Sequence, residues 1–315
     1  MNQTAVLSTP RTRKVLATHL LLDLGLVFGT IAAILSFYFL VRGGLAYDMR
    51  AYWLAAQHVL NNQPLYVKAD YSTAAIYTYP PIFAQIFAPA ALIPESVMDW
   101  LWRFGEVLCL RYIVGSWKAT IVACLFIPVL TELSIDNVTF QIAAALRFAL
   151  RDRRGAYLLP WVAALKFGPV LLAPYLWFRM PASRRPLLFG TVIFGLACLI
   201  SYLLTPASWA DYLTMLGWQS TAPLNGPEVL HLIPGPGSLD FIGRFLLAAF
   251  AVLFAIRTRR PWLAYAATVV TCPVLAINRL APLVGIWGLR PSTQTELKLK
   301  TATRPVEPIK AENIL

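Results

Sequence analysis

Long apolar runs recur along this chain and are punctuated by basic clusters. The first, residues 16–41, is long enough as a helix to cross a bilayer. With 58% of 315 residues hydrophobic, 13% charged and a mean hydropathy of +0.62, a soluble domain could not cover that much apolar surface. The bilayer is therefore the expected solvent. In hydrocarbon every backbone amide needs an internal partner, and runs rich in Leu, Ala and Val without alternation favour helices over a barrel. The expected fold class is all-α, a polytopic transmembrane helical protein.

The formal charge of +12 would suggest nucleic acid if the basic residues shared one face, but they are spread between the apolar runs, so no nucleic-acid partner is expected. Cys109, Cys124, Cys198 and Cys272 each sit inside an apolar segment without CxxC spacing. They read as small core residues, and no metal site is expected. The first apolar run has no small-residue cleavage site after it and is expected to be retained.

Arg11, Arg13 and Lys14 place the N-terminus in the cytoplasm and the loop of residues 42–99 outside. That loop holds Tyr47, Tyr52, Tyr66, Tyr71, Tyr77 and Tyr79, read mostly as an interfacial belt. Residues 48–60 carry an apolar stripe of Met49, Tyr52, Trp53, Ala56, Val59 and Leu60 opposite Arg50, Gln57 and Asn61, which predicts a helix lying on the membrane. Residues 82–93, bounded by prolines, reach only about 18 Å against a core of ~30 Å and read as interfacial or re-entrant.

Segments 100–117, 119–133 and 138–150 then alternate across the bilayer, with Lys118 and the Arg151, Arg153, Arg154 cluster inside and Asp136 and Asn137 outside as an ordinary helix N-cap. Residues 157–178 lie between two basic clusters, so the segment either spans, with one cluster outside, or folds back as a hairpin around Lys166, Gly168 and Pro169. Residues 187–204 cross outward, 205–240 form a second outer loop without Lys or Arg, and 241–256 return. Residues 261–289 are one long span or two short legs. About 7–9 membrane segments follow, within a single integral membrane domain of residues 1–290. Residues 291–315 read as a polar, disordered cytoplasmic tail.

Asp48 opens the amphipathic helix at the outer surface. A carboxylate there either caps backbone amides or serves as a general base where a lipid head group meets water. Lys166, an ionisable residue within an apolar segment, is costly in lipid and reads either as snorkelling or as a phosphate partner. Arg279 has the same status. His231, in the second outer loop, is a solvated histidine or a residue of the site.

The stretch from Asp48-x3-Tyr52 through Asn62-Gln63-Pro64-Leu65-Tyr66 and Tyr77-Thr78-Tyr79-Pro80-Pro81-Ile82-Phe83 resembles glycosyltransferase family 87, the polyprenyl-phosphate-mannose-dependent mannosyltransferases of the GT-C superfamily. A second region, Asn137-Val138-Thr139-Phe140-Gln141 with Ala163-Ala164-Leu165-Lys166-Phe167-Gly168-Pro169, is similar to the family's Asn/Gln-containing helix start and its "A-x-K-x-x-P" element. A weaker third is Cys272-Pro273 with Asn278-Arg279-Leu280-Ala281. The resemblance implies a GT-C-like fold and an Asp base at Asp48. It also makes Tyr52, Tyr79 and Gln141 candidates for substrate binding, beside Lys166, Arg279 and His231.

The function expected is that of a multi-pass plasma-membrane hexosyltransferase with an extracytoplasmic site. It would move a hexose, mannose by resemblance, from a polyprenyl phosphate donor to a hydroxyl of a lipid or glycan acceptor. A lipid phosphate already leaves readily, so neither a nucleotide nor a metal is obligatory and no cofactor is expected. The rivals are a non-catalytic carrier or flippase for lipid-linked sugar and a structural subunit of a membrane complex.

Overall fold

The computed structural model of the protein describes residues 47–66, 77–221, 237–271 and 277–289, together with Asp23, Leu24, Val27 and Ile31. Among these the chain is all-helical. The first apolar run lies largely outside the described residues, as do His231, Cys272 and the C-terminal tail.

Helix α1 (Tyr47–Leu60) buries Met49, Ala51, Tyr52, Ala55 and Ala56. Gln57, placed by the sequence on the polar face, instead fastens α1 to the next segment by donating to the Ala91 carbonyl at 2.8 Å, and the Trp53 indole donates to the Ile93 carbonyl at 3.0 Å. Helix α2 (Pro81–Phe87) has a proline in its first turn, where the missing amide costs no hydrogen bond, and runs into a 3-10 turn, Ala88–Leu92. Past Pro94 the chain bends by 117° into α3 (Glu95–Val114). Gly115 ends α3 at φ 93°, a left-handed conformation in which a side chain would be strained.

Residues 119–133, expected as one span, are two short helices, α4 (Trp117–Ala123) and α5 (Ile127–Ile135), bent by 93° at the break. Pro128 in the first turn of α5 cannot continue a helix from the preceding residues, which accounts for the break. Helix α6 (Thr139–Arg151) follows, then a 3-10 turn, Arg153–Leu158.

The ambiguous segment is broken. Helix α7 (Leu159–Leu165) stops at Lys166, which is extended (φ −143°, ψ 126°), before a 3-10 turn, Gly168–Leu171, and α8 (Leu172–Arg179). Gly168 allows this turn to lie directly against residues 268–271, since a Cβ there would run into the Thr268 carbonyl and the Thr271 hydroxyl. Helix α9 (Arg184–Leu204), α10 (Pro206–Thr221) and α11 (Gly237–Thr258) follow. Residues 261–289 form two short legs, α12 (Pro261–Val270) and a 3-10 stretch, Ile277–Val284, leading into α13 (Gly285–Leu289).

Among the described residues two helical stretches, Pro181–Leu204 and Asp240–Thr258, are long and apolar enough to cross a bilayer, or four if each bent pair makes one span. Their exposed faces carry Leu188, Val192, Leu196, Leu246, Phe250 and Leu253, the side chains lipid would cover. Arginines gather where the polar ends of these helices meet. Arg179 bonds the Ile256 and Arg257 carbonyls at the end of α11, and Arg151 donates to the Gly288 carbonyl at 2.6 Å. Cations at helix C-termini offset the helix dipole as well as the free carbonyls.

Candidate functional site

Asp48 is the second residue of α1, so its carboxylate lies at the positive end of a helix. Its Oδ2 accepts from Asn137 Nδ2, and Asn137, fully buried, accepts at Oδ1 from Lys166 Nζ at 2.8 Å. Lys166 also donates to the Thr139 hydroxyl. That hydroxyl donates to Asn137 Oδ1 at 3.2 Å and accepts from Arg279 Nη1 at 3.5 Å. One carboxylate, one amide, one hydroxyl and two cations thus meet from four distant segments. The break at Lys166 is what frees its side chain to reach the start of α6.

Burial, the largest influence, raises the Asp48 pKa above its ordinary value, and Glu132 pushes the same way. Arg279 and Lys166 hold it down, as does the Asn137 hydrogen bond. The carboxylate is thus poised between desolvation and two cations.

Tyr52 lies one turn beyond Asp48, its hydroxyl 3.1 Å from that of Tyr79 and its ring between Tyr79 and Trp102. Burial, first of several influences, raises the Tyr52 pKa well above the ordinary value, so its hydroxyl stays protonated. Tyr66 donates to the Tyr79 carbonyl at 2.5 Å and Tyr77 to the Pro80 carbonyl at 2.9 Å, which fixes the Tyr-Pro-Pro turn. The belt reading is corrected for Tyr52, Tyr66 and Tyr77: they are buried, packed on one another or on Tyr79 and Tyr212.

A second correction concerns Asn137. The N-cap of α6 is Val138, without a side-chain cap bond, while the Asn137 amide is spent on Asp48 and Lys166. Asp136 is not the N-cap of α6 either: it closes α5 and is fully buried beside Arg103. Thr139 was overlooked as an individual residue, although it stands in the motif quoted for the start of α6. Gln141 folds its amide back onto the Asn137 and Val138 carbonyls (3.3 and 3.2 Å). His231 lies outside the described residues.

An apolar cleft is lined by Lys166, Arg279 and Thr139 of the polar group together with Ile142, Ala143, Leu146 and Val269. Its free interior is about 40 Å³, room for a water-sized group. Among the described residues no three His, Cys, Asp or Glu side chains are placed to hold a metal ion.

A family model described as glycosyltransferase family 87 matches residues 77–278. The chain belongs to glycosyltransferase family 87. No curated protein and no solved structure matches it. This family 87 chain is accordingly a membrane glycosyltransferase, an enzyme that uses a sugar donor and an acceptor. The matched stretch contains Tyr79, Asn137, Thr139, Gln141, Lys166 and His231 and stops one residue short of Arg279; Asp48 and Tyr52 precede it.

Proposed function

We propose that the protein transfers a hexose, mannose in the first instance, from a polyprenyl phosphate to a hydroxyl of a lipid or glycan acceptor at the extracytoplasmic face of the plasma membrane. The observation that carries this reading is the joining of Asp48 to Lys166 through the Asn137 amide, beside a second cation, with both cations lining an apolar cleft. A base and a pair of phosphate-compatible cations in one site are the two kinds of group that displacement at an anomeric carbon uses. The apolar side chains beyond them suit the isoprenoid tail.

In the transfer, Asp48 takes the proton of the acceptor hydroxyl as its oxygen bonds to the anomeric carbon. The bond from that carbon to the phosphate oxygen breaks on the opposite face, and the lipid phosphate leaves with the electron pair, inverting the centre. Lys166 and Arg279 offset the charge that grows on the departing phosphate, and in a site shielded from water such compensation is worth far more than in solvent. Asn137 keeps base and cation in register through one amide. Tyr52, Tyr79, Gln141 and His231 complete the proposed substrate-binding set.

The test is an assay of membranes containing the protein with radiolabelled polyprenyl-phosphate hexoses. Label should pass from the mannose donor to an organic-soluble or glycan acceptor, and no passage from any polyprenyl-phosphate sugar would refute the donor assignment. Cysteine-accessibility labelling at Gln219 and His231 tests sidedness: reaction with an impermeant reagent from outside is expected, and protection there would contradict it.

A further inference from the structure

We propose that Arg103 and Asp136 are positioning residues of the transfer site, their ion pair fixing the turn that aims Asn137 at both Asp48 and Lys166. The proposal rests on the reading of Asp48 as base and Lys166 as phosphate partner.

Two residues, Asp136 and Asn137, come between the last residue of α5 and Val138 at the start of α6, and both are fully buried. Asp136 is left-handed (φ 57°, ψ 47°), a conformation that Asp and Asn adopt more readily than other residues with side chains. Its amide donates to the Glu132 carbonyl at 3.2 Å, closing α5. The direction in which Asn137 leaves this turn decides where its amide lies. One end of that amide serves Asp48 and the other Lys166, so a small rotation of the turn disturbs both contacts.

Arg103, on α3, holds the turn from the side. Its Nη2 lies 2.6 Å from Asp136 Oδ2, its Nη1 donates to the Leu133 carbonyl in the last turn of α5 at 3.4 Å, and its Nε donates to Asp99 on its own helix at 3.2 Å. One planar guanidinium thus grips the end of α5, the turn residue and α3 together, which the point charge of a lysine could not do. Glu106 on α3 and Glu132 on α5, both fully buried, place further carboxyl groups beside Asp136.

The experiment compares purified variants for unfolding temperature and for kcat and donor KM per folded molecule. Asp136→Asn keeps the left-handed conformation and the volume while losing the ion pair. It should fold and lose about tenfold in kcat, because misplacing a reacting group by a fraction of an ångström costs on that order. Arg103→Gln should behave alike, and the double variant should be no worse than either single, since both act through one turn. A folded Asp136→Asn protein with wild-type kcat overturns the proposal, as do losses that multiply in the double variant. Should Asp136→Asn fail to fold, Arg103→Lys decides: a several-fold loss of kcat supports the positioning role and an unchanged kcat rejects it. Asp48→Asn run alongside separates the two levels. Normal transfer by that variant defeats the reading of the base itself, whereas an inactive Asp48→Asn beside a fully active Asp136→Asn defeats only the positioning role.

Discussion

Two ionic groups in this protein are built in opposite ways. Asp240 and Arg244 lie one turn apart on α11, 2.8 Å from each other and nearly inaccessible, with Arg244 also bonded to the Val270 carbonyl at 2.8 Å. Asp48 and Lys166 come from segments far apart in sequence and are joined through Asn137, and Lys166 lines a cleft. A pair made within one helix turn costs the chain little entropy to assemble and serves packing. A group drawn from four segments is expensive to organise, and its cations stand where a ligand can reach them. The difference separates a structural ion pair from a candidate site more sharply than burial or charge alone.

The contrast can be broken first at Asp240. Asp240→Ala leaves a buried guanidinium short of its carboxylate and should destabilise the protein by about 3 kcal/mol, read as a fall in unfolding temperature in detergent. Transfer per folded molecule should be unchanged, and a selective loss of kcat would erase the distinction between the two groups. Lys166→Met should do the reverse, raising donor KM by roughly tenfold while leaving acceptor KM and unfolding temperature near normal, because a point charge within reach of the phosphate is lost. An unchanged donor dependence would leave Lys166 without a phosphate role.

The smallest effect is a shift in pH dependence. The base reading requires ionised Asp48, so on that reading the rate should fall as pH drops through its pKa, which burial raises above the ordinary value. Lys166 lowers that pKa, so Lys166→Met should move the acid limb of kcat to higher pH. A limb that stays in place would mean that the titrating group is not Asp48 or that Lys166 does not act on it.

Much of the helical character was legible, because apolar runs without alternation leave the backbone little else to do in lipid. The break in residues 119–133 was not, since its composition is apolar on both sides and only Pro128 signals it. Asp48, Tyr52, Tyr79 and Lys166 stand in the local motifs, and the structure joins Asp48 to Lys166 through Asn137 and sets Tyr52 against Tyr79. Asn137 was misread because an Asx residue before a helix resembles a cap, whereas its true partners lie 89 and 29 positions away. Asp136 was misread for the same reason: its partner Arg103 is on another helix. The tyrosines were taken for an interfacial belt because composition shows that rings are present, not that they pack on one another.

The central claim is that Asp48 removes a proton rather than only holding the first turn of α1 and the Asn137 amide, and replacing it by Asn separates the two roles. Asn has the same shape and keeps an acceptor oxygen for Asn137, so the fold should change little, but it cannot take the acceptor's proton. The measurement is the rate of sugar transfer by purified Asp48→Asn protein against wild type, with unfolding temperature recorded on the same preparations. A fall of about 10²-fold or more at near-normal stability is the predicted result; transfer at close to the wild-type rate would contradict it.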